Sequence, residues 1–177
     1  MSTVPHMYPI MVDTNCVSTL LGLLSHENTD IAVAAVEVLQ EVTDVDTMNE
    51  SDEGAEIMLQ ALMDNQVISL LVSNLDRLDE TVKEESDGVH NTLGIIENLV
   101  ELKPELCKQI ADAGFLTWLI KKLKVKVAFD ENKLYASEIL SILLQNEPEN
   151  RKRFGEVDAI DNLLQQLAYY KRYEMFL

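Results

Sequence analysis

A chain of 177 residues, 47% of them hydrophobic, is long enough for one domain with a sizeable core, and that apolar content excludes a disordered chain. Its 31 acidic side chains against 14 Lys and Arg give a formal net charge of -17, which disfavours nucleic acid and anionic membrane surfaces and points to basic partners or plain solubility. Gly 6 and Pro 4 are too few for a turn-rich β-sandwich, and two cysteines, Cys16 and Cys107, make neither a disulfide framework nor a zinc site.

The start, Met1-Ser2-Thr3-Val4-Pro5, lacks the basic-then-apolar layout of a signal peptide. No apolar run approaches the roughly 20 residues that span a bilayer. Both cysteines read as small buried hydrophobes of a reducing compartment. From Asn28 to Asp44 the apolar period is helical, with Ile31, Ala35, Val38, Leu39 and Val42 on one face and Asn28, Thr29 and Asp30 as capping residues. Asp44 to Glu56 is polar and acidic and reads as a connector into a helix around Ile57 to Met63. Its Asp-x-Asp start is like a calcium loop, but Asn49 stands where the turn glycine belongs and Ala55 where a bidentate carboxylate does.

Glu80 to Glu101 carries Val89, Leu93, Ile96 and Leu99 or Val100 on one face. Pro104 looks like a first-turn proline of a helix through Ala113, which Gly114 stops. Val125 to Phe129 reads as a connector. Asp130 caps a helix to Gln145 with the stripe Leu134, Ile139, Leu140, Leu143 and Leu144. Pro148 marks a boundary, and a short helix follows from about Asn150.

One pattern recurs: NCVSTLLGLL, NQVISLLVSNL, AGFLTWLIKKL and DAIDNLLQQL. Its anchoring leucines, Leu21, Leu71, Leu119 and Leu164, are 50, 48 and 45 residues apart. That spacing sits at or just above the roughly 40–47 residues of armadillo and HEAT repeats. Each unit has too little apolar area to close a core alone, so neighbours stack into one. The expected fold is an all-α, armadillo/HEAT-like α-solenoid of about three and a half repeats, near residues 8–45, 57–101, 103–146 and 150–172, in one domain over 1–177.

AGFLTWLIKKL resembles the armadillo consensus. FDENKLYASEILSILLQNEPENR, NLDRLDETVKEESDGVHNTLG, VLQEVTDVDT and SDEGAE closely resemble the beta-catenin-like family of nuclear armadillo proteins, over about Val12 to Arg172. The resemblance implies a component of the spliceosome-associated NineTeen complex, located in the nucleus, that binds basic, nuclear-localisation-type segments of splicing proteins. It also implies that this chain is a fragment or short form, because the family continues at both ends.

In armadillo solenoids the third helices line a groove, and peptide-binding members carry a Trp and, four residues later, an Asn there. The corresponding pairs are Glu37 and Glu41, Gly94 and Asn98, and Glu138 and Ile142. Only Asn98 keeps the family identity, and Trp118 falls on a second helix as a core residue. The candidate partner-binding residues are therefore Glu37, Glu41, Asn91, Asn98 and Glu138, a carboxylate-lined face for a basic peptide or an ordinary solvated one. Asp79, Glu80, Glu84 and Glu85, beside Asp76 and Asp87, form a second acidic patch.

Lys121, Lys122, Lys124 and Lys126 sit where cations favour a helix C-terminus, or form an import or phosphate patch. Arg151-Lys152-Arg153 is a second short basic spot. His6, His26 and His90 are isolated, and no phosphate loop, GxSxG elbow or metal-ligand spacing appears. The reading is a docking scaffold with no enzyme activity and no cofactor. The alternative is a self-associating segment of a larger solenoid, a possible homodimer, through an apolar face near Leu163, Leu167, Tyr169, Tyr170 and Phe176.

Overall fold

The computed structural model describes residues 5–49, 52–125, 130–156, 160, 161 and 164. Every regular element among them is helical. The chain divides into two compact units, Met1–Pro104 and Glu105–Leu177.

In the first unit a 3-10 turn, Pro5–Met7, leads into α1 (Tyr8–Asp13), α2 (Cys16–Leu23) and α3 (Thr29–Thr43). Then come α4 (Val45–Asn49), α5 (Asp52–Asp64), α6 (Val67–Leu75) and α7 (Lys83–Leu102). The second unit holds α8 (Leu106–Asp112), α9 (Phe115–Lys124), α10 (Glu131–Asn146) and α11 (Pro148–Glu156). Pro148 opens α11, whereas Pro104 stands just before the N-cap of α8 rather than in its first turn.

The repeat is built on a shared turn. Asn15, Gln66 and Gly114 adopt the left-handed conformation immediately before α2, α6 and α9, with φ of 59°, 59° and 101°. Counted from these turns, Val17, Ile68 and Leu116 share one buried position, and Leu24, Leu75 and Leu123 share another. This register shifts the first copy by one residue against the leucine alignment. Leu21, Leu71 and Leu119 are all at most 1% exposed, because both positions lie on the buried side of the helix. Leu164 departs from the set at 59% exposed.

The acidic stretch read as a connector contains α4. The Asp44 carboxylate accepts from the Thr47 backbone N–H at 2.8 Å, and Met48 is fully buried. One capping oxygen and one apolar anchor are enough to wind a short helix that polar composition conceals.

The first unit is organised by α3 against α7. Thr29 donates to Glu85 at 3.0 Å, and Gly88 faces Val33 a turn further along both helices, so the two run parallel. A Cβ on Gly88 would stand 2.8 Å from Val33 Cγ2, so only glycine permits this approach. Val89, Leu93, Ile96, Leu99 and Val100 are buried as expected. On α3, Ala35, Leu39 and Val42 are buried, but Ile31 and Val38 are not; Ala32, Val33 and Val36 take their place in the core. The α7 contact rotates the covered arc of α3 towards Val33. On α10, Ile139, Leu140 and Leu143 are buried and Leu144 partly so, while Leu134 is exposed.

A Gly88→Ala change should destabilise the chain in urea unfolding, because an overpacking cost of about 1–3 kcal/mol exceeds the helix-propensity gain of about 1 kcal/mol. In a Val33→Ala background the same change should become neutral or stabilising. An equal cost of the change in both backgrounds would mean that the Gly88–Val33 approach does not set the helix spacing.

Candidate functional site

The open side of α3 carries Asp30, Glu37 and Glu41, all exposed and spaced seven and four residues apart, which puts them in one row. Their neighbours on α7 follow from the repeat. Six buried positions of α3 (Ala32, Ala35, Val36, Leu39, Val42 and Thr43) match Val89, Thr92, Leu93, Ile96, Leu99 and Val100 of α7. In that register Asn91 corresponds to Ala34 and Asn98 to Glu41. Both asparagines are half-buried. Parallel helices packed roughly 10 Å apart present matching positions on one side. In that register Asn91 and Asn98 fall on the same helix face of α7 as Glu37 and Glu41 do on α3. Glu138 is exposed on α10 in the second unit.

The second acidic patch is partly engaged within the fold. The Glu85 carboxylate accepts from Thr29 Oγ1 at 3.0 Å and from the Asp79 backbone N–H at 2.6 Å, joining α3, the α6–α7 connector and the first turn of α7. This makes Glu85 a structural fastener. Asp79 accepts from the N–H and hydroxyl of Thr81, and these bonds hold its carboxyl below the usual range. Glu84 is exposed and Glu80 half-buried.

Most of the basic spots also have internal partners. Lys122 bonds Asp130 at 2.7 Å, and Lys133 reaches the Val125 carbonyl at the end of α9. Burial pushes the Lys133 amine down, against the opposing pull of Asp130. Asp130 itself caps α10 as expected, accepting from the N–H groups of Asn132 and Lys133. Arg151 donates to the Leu144 and Gln145 carbonyls, and Arg153 bonds Asp112 at 2.5 Å. The Arg153 and Lys108 bonds hold the Asp112 carboxyl low. Lys126 lies outside the described residues.

Several structural residues escaped sequence reasoning. Arg77 donates to the carbonyls of Leu24 at 3.0 Å and His26 at 2.5 Å and to Asn74 Oδ1 at 2.9 Å, closing the C-terminal end of α2. Buried Tyr8 donates to the Val42 carbonyl at 3.1 Å. Asn150 donates to the carbonyls of Cys107 and Leu143, linking α8, α10 and α11. No local pattern reveals these roles, because the carbonyl partners of Tyr8 and Arg77 are 34 to 53 residues away. Trp118 is in the core as expected, stacked on Phe115 at 5.8 Å.

An open depression of about 490 Å³ lies between α1 and α5, with Val12, Ile57 and Ala61 against Glu56 and Asp64. Lys103 bonds Glu56, one of its lining residues, at 2.7 Å. Among the described residues no single helix is long and apolar enough to cross a membrane.

A family described as "Catenin-beta-like, Arm-motif containing nuclear" matches residues 1–175. The chain belongs to this family. Its fold is therefore an armadillo-type α-solenoid. Beta-catenin-like protein 1 of Homo sapiens is 58% identical over 172 residues, 97% of this chain and 31% of the relative. The Bos taurus protein of the same name is 57% identical over the same share. Beta-catenin-like protein 1 homolog of Schizosaccharomyces pombe is 32% identical over 173 residues, 97% of this chain and 30% of the relative. The chain thus spans about a third of the length of these relatives.

Cys107 is buried as expected, and burial pushes its thiol up, but Cys16 is exposed at the start of α2 rather than buried. Native-state alkylation followed by mass spectrometry should label Cys16 alone, with Cys107 reacting only after denaturation. Equal labelling of the two would contradict the packing of α8. Arg77→Met should cost about 2 kcal/mol in denaturant unfolding, since it removes charge-assisted bonds to two carbonyls. A loss below about 0.5 kcal/mol, the level of a surface change, would show that water replaces the guanidinium.

Proposed function

We propose that this chain is part of a nuclear docking scaffold of pre-mRNA splicing that takes basic, nuclear-localisation-type segments of partner proteins. The observation that carries this reading is the exposed carboxylate row Asp30, Glu37 and Glu41 on α3, with Asn91 and Asn98 at corresponding face positions of α7. Carboxylates attract Lys and Arg heads, and amides can bond the backbone of an extended segment. The net charge of -17 steers basic chains towards that face. Membership of a nuclear armadillo family supports the setting, and two free thiols suit a reducing compartment. A solenoid face offers a broad surface for docking rather than an enclosed pocket for chemistry.

The recognition differs from a Trp–Asn ladder. With acidic side chains in place of the aromatic ones, charge attraction replaces stacking on Lys and Arg stems. Binding is then fast, strongly salt-dependent and tolerant of sequence.

Fluorescence anisotropy with a Lys/Arg-rich peptide tests this. Affinity should fall steadily as salt rises, and the double change Glu37→Lys, Glu41→Lys should weaken it roughly tenfold or more, about 1.4 kcal/mol or above. Affinity indifferent to both salt and substitution would remove the acidic-face reading.

A further inference from the structure

The charge of the chain is divided unequally between its two units. Met1–Pro104 holds 20 of the 31 acidic side chains and 3 of the 14 Lys and Arg, so it alone accounts for the formal charge of -17. Glu105–Leu177 holds the remaining 11 of each and is formally neutral. Such asymmetry separates the partners of the two halves, since a cationic segment is drawn to one and not to the other.

The placement of the cations sharpens the division. In the first unit Lys83 bonds Asp87 at 3.3 Å, Lys103 bonds Glu56 at 2.7 Å, and Arg77 is held on backbone carbonyls. Three cations, one of them turned to carbonyls, cannot neutralise 20 carboxylates. In the second unit Lys108 and Arg153 both bond Asp112, Lys122 bonds Asp130, and Lys121 and Lys124 stand exposed on α9. At physiological salt the Debye length is about 8 Å, so a docking segment responds to the charges within its reach and not to the sum over the chain.

We infer that basic segments dock on the first unit alone, and that Glu138 takes no part although the sequence repeat pairs it with Glu37. The inference rests on the proposed docking of basic segments and narrows it to one unit. It also sets the chemistry of the partner. Exposed carboxylates stand on α3 at Glu37 and Glu41, on α5 at Glu53 and Asp64, and on α7 at Glu84 and Glu101. A segment with several Lys and Arg gains from more than one of these helices, whereas an isolated cation does not.

Carbodiimide coupling on the full chain tests this, because it joins a lysine amine to a carboxylate only where the two meet. With a Lys-rich peptide, mass spectrometry should find the salt-sensitive cross-links on carboxylates of residues 1–104 and none on Glu131, Glu138 or Glu149, which are also exposed. The double change Glu37→Lys, Glu41→Lys should weaken the peptide roughly tenfold or more, whereas Glu138→Lys should leave its affinity within about twofold. Salt-sensitive cross-links on the second unit, or a Glu138→Lys loss that matches the α3 pair, would overturn the inference while basic-segment docking stands. A peptide that does not bind at all would remove both.

Discussion

The close approach of α3 and α7 is the constraint on which the rest of the first unit depends. Attraction between apolar surfaces falls away over fractions of an ångström, so helix spacing decides how much of the burial is realised. At Gly88 the absent side chain lets Val33 sit against the α7 backbone. One turn earlier, Glu85 locks the relative register by binding Thr29 and the Asp79 amide together. The candidate carboxylates Glu37 and Glu41 stand on the same α3 helix that this contact holds in place.

A second theme is the use made of positive charge. Helix C-termini leave carbonyl groups without partners, and cations satisfy them while answering the helix dipole. Arg77 does this for α2, Lys133 for α9 and Arg151 for α10. Lys103, Lys122 and Arg153 are bonded to carboxylates. A chain with 14 Lys and Arg thereby commits many of them to its own architecture.

Much of the fold was legible in local pattern. The recurrent leucine motif located the second helices of the first three units. Asp130 and Asn28 were recognisable caps because a short polar side chain precedes an apolar period. The weaker readings have physical causes. The acidic run from Asp44 concealed α4, because its one core residue, Met48, carries no periodic signal by itself. The one-residue shift between the first two copies was hidden because leucines at adjacent positions both face inward. Glu85 read as a surface charge, since only folding brings Thr29 within reach. The proposed apolar face near Leu163, Leu167, Tyr169, Tyr170 and Phe176 lies outside the described residues.

The amino-acid sequence by itself determined the helical class, the repeat and the acidity, because periodicity, capping chemistry and charge are local or additive properties. Tertiary structure alone decided which side of each amphipathic helix is covered. A helix with apolar residues over a wide arc can be buried on several faces, and its neighbours choose among them. That choice left Ile31 and Val38 at an open edge while it buried Val33 and Val36, and it turned Arg77 and Tyr8 from unremarked residues into fasteners between distant helices.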